Sequence, residues 1–436
     1  MDGLEINQKK QKLESDQENQ NSDRLSALHD SILYYILSFL PTKNVVQTSI
    51  LGKRWLNLWT SLPYLDFDTE SITGATGMAS LRESKKILNF VNKFLQCHVE
   101  SSIIRFRLSS HRCAFDSSEI SSWISTAVSG GVEELDIRTF FILDCPYPIM
   151  YRLPRCLLNC NSLVKLKLSL GIWLPFTDFF CFPKLKSMYL QKVIVDKNFY
   201  RQLLNCPNLE NLVLKICEPD DFCSSQSSDT FQDLTDEQHL GILTNLDDAF
   251  IGLLCNSYND GESVRWISKF FRMLSNVKTL HLNFFCTQFL QYQTSLLHDL
   301  STFCNLNHLV LELGNGDGDV VVVACLLQFF HDLQSLRIIY RNSLDSKHRE
   351  NKLKPEQISS ISLPGRLKTI SVENFRGRMN QLELLRLLLE NEFLEKIIVH
   401  PDSDMRMDPM LLNQELLGLP KLSKLILRHD SEGNFL

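Results

Sequence analysis

From residue 103 onward the chain keeps returning to one pattern, apolar-x-x-apolar-x-apolar. The clearest copies are Leu163-Val-Lys-Leu166-Lys-Leu168 and Leu209-Glu-Asn-Leu212-Val-Leu214. Others start at Val277, Leu306, Leu333, Leu367, Leu394 and Leu422, with weaker copies at Ile103, Val132, Leu185 and Leu246. The starts lie 22 to 37 residues apart, with a mean of 29. The lead-ins repeat as well: Leu157-Leu-Asn-Cys-Asn-Ser-Leu163 parallels Leu203-Leu-Asn-Cys-Pro-Asn-Leu209. One unit of this size cannot bury its own apolar face, whereas stacked copies share a continuous core. At 436 residues the chain is long for one compact core, so an elongated array or two domains is expected.

A period of this size with this signature is that of leucine-rich repeats. Each unit reads as a helical stretch, a turn and a short strand. Ala79 to Cys97 places Leu81, Leu88, Val91 and Leu95 at helical spacing. Ser117 to Ser129 forms another helix, closed by Gly130-Gly131. Stacking puts a parallel sheet on the concave side and the helices outside. The regular Asn of the strictest repeats is missing and the spacing wanders, which predicts an irregular horseshoe. Glu218 to Glu237, rich in Ser, Asp and Gln, reads as a loop or disordered insertion.

Ahead of the array, residues 23–68 read DRLSALHDSILYYILSFLPTKNVVQTSILGKRWLNLWTSLPYLDFD. Asp30 is placed to cap a helix with Ile32, Leu33, Ile36, Leu37 and Leu40 at helical spacing. Pro41 ends it. Thr42 is placed to cap a second short helix carrying Val45, Val46 and Ile50, which Gly52 breaks. A third segment, Lys53 to Thr60, spaces Trp55, Leu58 and Trp59 three to four apart. So small a unit buries little surface by itself. Its apolar residues therefore either dock on a partner or pack on the rest of the chain.

The order of these residues resembles the F-box of plant F-box/leucine-rich-repeat proteins, from Leu25-Ser26 through Leu40-Pro41-Thr42-Lys43 to Lys53-Arg54-Trp55 and Leu65-Asp66-Phe67-Asp68. Two departures stand out. The usual Leu-Pro-Asp reads Leu28-His29-Asp30, which loses a preorganised proline. The usual Leu-Ser-Lys-Arg-Trp reads Leu51-Gly52-Lys53-Arg54-Trp55, an expected loosening of about 0.5–1 kcal/mol if Gly52 is helical. Arg366 to Asp402 resembles the FBD region that ends many such proteins, through Leu367-Lys368, Phe375, Gly377, Leu389-Glu390-Asn391 and Leu394-Glu395-Lys396. Physically it is one more strand–helix–strand unit, its helix running from about Met379 to Asn391 with Leu382, Leu385, Leu388 and Leu389 inward.

The expected fold is therefore α/β: a small three-helix F-box, then an irregular leucine-rich-repeat solenoid with a parallel concave sheet. The expected domains are a polar tail over 1–22, the F-box over 23–68, the solenoid over 69–365 with its insertion at 218–237, and FBD-like terminal repeats over 366–436. The resemblance implies a non-catalytic substrate receptor of a cullin-type ubiquitin ligase, docked on a Skp-type adaptor, with the repeats holding a target protein. Carried over by motif position, the adaptor-facing set is Leu25, Leu28, Ile32, Ile36, Leu40, Pro41 and Val45. Trp55 and Trp59 are expected to hold the module together.

Composition narrows the alternatives. A net charge of −6 argues against general nucleic-acid or anionic-membrane binding. No apolar run approaches a membrane helix. The first 23 residues have no apolar core, so they read as a disordered tail and not a signal peptide. The 13 cysteines are scattered without zinc-knuckle spacing, which suits reduced thiols used as small apolar fillers in the cytosol or nucleus.

Catalytic signatures are missing: no GxSxG elbow, no phosphate-binding GxxxxGK[ST] loop and no HExxH helix occur. Gly314 to Asp319 resembles the start of a calcium loop, but Val320 and Leu326 stand where that loop needs Gly and Glu, so a turn is expected and no metal or cofactor. His281 and His308 fall on neighbouring predicted strands. Between the core positions of each strand, side chains point to the concave face. These include Glu134, Asp136, Lys165, Lys167, Tyr189, Lys215, His281, Glu312, Arg337, Glu373, His400, Lys424 and Arg428. Lys165, Lys167, Tyr189, His281 and Arg337 are the target-binding candidates; a solvated face that binds nothing is equally compatible. A scaffold without degradative role, and a small-molecule co-receptor of the kind some F-box/leucine-rich-repeat proteins form, remain alternatives. The latter needs convergent Lys and Arg, whereas Lys165, Lys167, Lys215 and Arg337 are expected on distant repeats.

Overall fold

The structure is a computed structural model. It describes residues 25, 27–73, 81–98, 102–110, 115–139, 153–176, 179–195, 199–219, 241–253, 261–293, 296, 300, 303–314, 316, 318–341, 363–402 and 424–427. The 1–22 tail, most of the 218–237 insertion and Arg428 lie outside them.

Each repeat start from Ile103 to Leu394 is followed two residues later by a strand, and Leu422 three residues later. The strands are β1 (Tyr64–Asp68), β2 (Arg105–Ser110), β3 (Glu134–Thr139), β4 (Lys165–Phe176), β5 (Ser187–Val195), β6 (Asn211–Pro219) and β7 (Asp248–Leu253). They continue as β8 (Thr279–Leu282), β9 (His308–Leu313), β10 (Ser335–Tyr340), β11 (Thr369–Phe375), β12 (Lys396–Pro401) and β13 (Leu425–Leu427). Together they form one 13-stranded parallel sheet whose spatial order is its sequence order. β1 was read with the head. It carries the repeat pattern itself, Leu62-x-x-Leu65-x-Phe67, all fully buried.

The register is fixed by a backbone ladder one residue past each start. Ile104 donates to Pro63, Glu133 to Ile104, Val164 to Glu133, and so on to Glu395 on Lys368, every N···O distance between 2.7 and 3.0 Å. A side-chain ladder runs beside it. Asn208, Asn245 and Asn276, each one residue before a start, donate to the carbonyls of Pro183, Pro207 and Thr244 at 2.6–2.8 Å. Asn305 continues it onto Asn276 at 2.6 Å. The asparagine that the repeat pattern lacks thus occurs upstream of the strand, where it satisfies the turn carbonyl of the preceding unit.

The helices lie on one face. The main ones are α1 (Asp30–Leu37), α2 (Thr42–Gln47), α3 (Leu81–Cys97), α4 (Ser117–Ser129), α5 (Gly261–Met273), α6 (Phe284–Tyr292), α7 (Gly318–Phe329) and α8 (Met379–Leu389). α4 has the expected bounds, and Gly131 after it takes φ +79°, the left-handed geometry that closes a helix. In α8, Leu382, Leu385, Leu388 and Leu389 are buried as expected. The Gly314–Asp319 turn is anchored: Asp319 opens α7, is buried, and accepts from the Gln291 amide at 2.8 Å and the Gly316 N–H at 2.9 Å. α7 is buried almost all round, as its uniformly apolar sequence requires.

The head departs from its local reading in three places. His29, not Asp30, caps α1, its Nδ1 accepting from the Ser31 N–H at 3.3 Å. Thr42 is the first residue of α2, not its cap; its buried hydroxyl accepts from the Asp66 N–H at 2.8 Å and ties α2 to β1. Gly52 stands in extended backbone between two 3-10 turns, Thr48–Leu51 and Trp55–Ser61, so there is no helix interior for it to loosen. The head shares the core of the first repeat. Leu33, Leu37, Val45, Trp55 and Leu58 join one cluster with Leu62, Leu65 and Phe67, and the Trp59 ring meets Phe94 of α3 at 5.2 Å.

Candidate protein-binding surfaces

α1 is apolar on both sides. Leu33 and Leu37 face the core, while Ile32, Tyr35, Ile36 and Phe39, at helical spacing, are exposed on the other side. Tyr35 and Phe39 make an edge contact at 5.1 Å. The 3-10 turns expose Ile50 (88%), Leu51 and Leu56. A module this small presenting so much apolar surface has the character of an interaction face.

The motif-derived adaptor set divides on this structure. Leu25, Ile32 and Ile36 are exposed; Leu28, Leu40 and Pro41 are half-buried; Val45 is wholly enclosed and holds α2 to the core. The exposed Tyr35, Phe39, Ile50, Leu51 and Leu56 were missed because periodicity marks apolar residues without saying which side the core takes. Arg54 binds this segment together, donating to the Leu28 carbonyl and to Asp30 Oδ1 at 2.6 Å.

The second surface is the concave face. Parallel register lines the outward residues into rows across the strands. One row reads Asp66, Arg107, Asp136, Lys167, Tyr189, Val213, Phe250, His281, Val310, Arg337. Over β1 to β6 it floors a groove of about 450 Å³ lined by Arg105, Arg107, Arg138, Lys165, Lys167 and Tyr189, among others, and reaching Ser38 of the head.

Charge in the groove is largely paired. Glu134 accepts from Arg105 at 2.7 Å and Lys165 at 2.8 Å; Asp136 accepts from Arg138 at 2.8 Å; Arg107 reaches Asp66 at 3.3 Å. Burial opposes ionisation of Glu134, yet the hydrogen bonds and charges of Lys165 and Arg105 outweigh it and hold its carboxyl below the usual range. Asp66 goes the other way: burial raises it more than Arg107 lowers it, and its Oδ1 has no hydrogen-bond partner among the described residues.

Of the target-binding candidates, Lys165, Lys167 and Tyr189 share the groove. His281 lies beyond it, its ring tilted against Phe250 at 4.1 Å and its Nε2 3.2 Å from Glu312. Arg337 is on β10, paired with Glu373 at 2.7 Å. The expectation that Lys167 and Lys215 lie far apart is overturned. The Lys167 and Lys215 ammonium groups both approach the Tyr189 ring, at 4.4 and 5.6 Å from its centroid; only Arg337 is remote. The two histidines do not form a site, because His308 pairs with Thr279 in register, two residues before His281. Arg105, Arg107 and Arg138 went unmarked because their strands are weak copies of the repeat; the alternation of Arg and apolar residues in Arg105–Leu108 was the available signal.

Cys160, Cys206 and Cys286 are buried as small apolar fillers, whereas Cys97, Cys156 and Cys304 are exposed. Burial pushes the Cys206 thiol up to about 12. No cluster able to hold a metal occurs among the described residues.

A 13-stranded parallel sheet built from successive strand–helix units is the architecture of a leucine-rich-repeat solenoid. Residues 120–236 match the family model described as FBD-associated F-box protein At5g56370, LRR repeats. The Arabidopsis thaliana FBD-associated F-box protein At1g66310 is 26% identical, with 92% of this chain and 94% of the relative covered. Its F-box/LRR-repeat protein At1g55660 is 34% identical over 44% of this chain and 52% of the relative, and FBD-associated F-box protein At4g10400 is 36% identical over 45% and 46%. These shorter matches span about half the length of the relatives. The chain is thus similar to plant FBD-associated F-box and F-box/LRR-repeat proteins. Among solved structures, an internalin of Listeria monocytogenes aligns over 84% of this chain and 98% of its own at 12% identity, with a TM-score of 0.26.

Proposed function

We propose that the chain is the substrate-recognition subunit of a Skp–cullin–F-box ubiquitin ligase. The observation that carries this reading is the exposed apolar side of α1 and the 3-10 turns, with Ile32, Tyr35, Ile36, Phe39 and Ile50 left uncovered by the chain itself. In a water-soluble module such a face is stabilised by a partner, and the family resemblance supplies a Skp-type adaptor as that partner. The chain itself does no bond chemistry. It raises the effective concentration of target lysines near a conjugating enzyme held by the cullin. The groove reaches Ser38 of the head, so a target seated there lies beside the adaptor-binding module.

The test is co-purification with a Skp-type adaptor. Stoichiometric capture by the parent, lost in Ile36→Asp/Phe39→Asp with thermal stability retained, supports the reading. A folded parent that captures no adaptor removes it and leaves a free-standing repeat scaffold.

A further inference from the structure

The helical side of the solenoid carries a stripe of cations that the described residues leave unpaired. On α5, Trp266, Ile267, Phe270, Phe271 and Met273 are buried, while Arg265, Lys269 and Arg272 follow one another at i, i+4 and i+7 along the outer side. Arg265 and Arg272 are exposed and Lys269 is half-buried. Among the described residues none of these three side chains meets a carboxylate. Other exposed cations do: Lys186, Lys278, Arg366 and Lys368 each pair with an acid at 2.7–3.3 Å.

The preceding unit adds to the stripe. Its short helix Phe199–Gln202 meets α5 through Tyr200, whose ring lies edge-on to Trp266 at 6.5 Å. Arg201 on that helix is exposed, donates from Nε to Tyr200 Oη at 3.2 Å and has no acidic partner among the described residues. At the same junction the Trp266 indole N–H is buried and finds no acceptor among the described residues. Charge and a hydrogen-bond donor are both left unsatisfied here, and an anionic, oxygen-bearing partner satisfies both.

We infer that this junction, on the side of the solenoid away from the concave face, docks an acidic segment of a partner protein. The inference is independent of the adaptor reading above. Spacing selects the partner. Along the helix Arg265 and Lys269 are separated by about 6 Å, and Lys269 and Arg272 by about 4.5 Å. In an extended chain, side chains at alternate positions share one side and lie about 6.6 Å apart. An acid-x-acid pattern therefore sets one carboxylate against Arg265 and the next against Lys269. A stripe of about 10 Å is narrow for a membrane surface or a nucleic-acid duplex, and a net charge of −6 repels either.

The probe is a fluorescein-labelled pentapeptide with aspartate at alternate positions, beside the same peptide with asparagine there, each titrated by anisotropy against the full chain at low salt. The aspartate peptide should bind, more weakly as salt is raised, and the asparagine peptide should not. Arg265→Gln and Lys269→Gln should each weaken binding about threefold, the range for an exposed ion pair, and the triple variant with Arg272→Gln should abolish it. Trp266→Phe, which removes the indole N–H and keeps an aromatic ring, should weaken it too. Lys186→Gln, whose lysine is already paired with Glu210, should change nothing. Equal binding by the parent and the α5 variants at unchanged melting temperature overturns the proposal, as does equal binding of the asparagine peptide. Tighter retention on phosphatidylserine vesicles or duplex DNA, lost in the same variants, overturns it in favour of a general polyanion surface. Peptide binding seen only after the acidic stretch 220–237 is replaced by Gly-Ser repeats also overturns it, because the chain then covers the stripe itself.

Discussion

Trp55 and Ile50 show how differently two apolar residues of one module behave. Trp55 is 5% exposed and in the shared core, so Trp55→Ala should cost about 3–5 kcal/mol in chemical denaturation. Ile50→Asp should leave the melting temperature within a degree or two and reduce adaptor capture, since its side chain touches solvent and not the core. Gly52 offers a third case. Its backbone is extended, and an added Cβ meets nothing nearer than Trp55 Cδ1 at 3.9 Å. Gly52→Ala should therefore stabilise by about 0.4–1 kcal/mol through loss of unfolded-chain entropy, read as a raised denaturant midpoint. The motif departure at this position is thus a small stability concession and not a defect in the fold.

Among elements, the close approach of α6 to the end of β9 is the most sterically demanding contact. A Cβ on Gly314 would fall 2.2 Å from the Phe284 ring, so Gly314→Ala should shift α6 and lower stability, measurable as loss of thermal midpoint. The strand face carries pH dependence. Glu312 is lowered: burial opposes its ionisation, but the His281 hydrogen bond and charge, with Arg341, prevail. A carboxyl whose folded pKa is depressed contributes stability above its unfolded value of about 4.3, and that contribution is lost as pH falls through the folded pKa. Glu312→Gln should accordingly be less stable than the parent at neutral pH, with the gap closing on acidification; acid denaturation of both chains followed by circular dichroism checks this. Elements were legible in the sequence where the period was strong. α4 was marked by its closing glycines and α8 by its apolar spacing, so their positions followed from local chemistry. The caps of α1 and α2 did not, because His29 is a poor cap by composition and Thr42 is claimed by β1 across the chain.

For the whole molecule, units from β1 to β12 bond to their neighbours through the backbone ladder, reinforced in the middle of the array by the asparagine ladder. Stability in such an array is a sum of unit and nearest-neighbour terms, so damage at one end should not reach the other. Leu388→Ala in the last complete helix should weaken local protection in hydrogen exchange around β11 and β12, while adaptor capture by the head stays unchanged. The sequence by itself determined the repeat, the strands from β2 onward and their parallel arrangement, because a fixed apolar spacing admits one way to bury itself. It also named the outward strand positions, since alternation is local. Only the tertiary structure decided which face of α1 is covered, that Val45 is enclosed, and that β1 joins the sheet. It also decided that Lys167 and Lys215, 48 residues apart, meet over Tyr189. Those outcomes depend on which strands lie side by side and on what each side chain packs against, and neither is written into the spacing of any one segment.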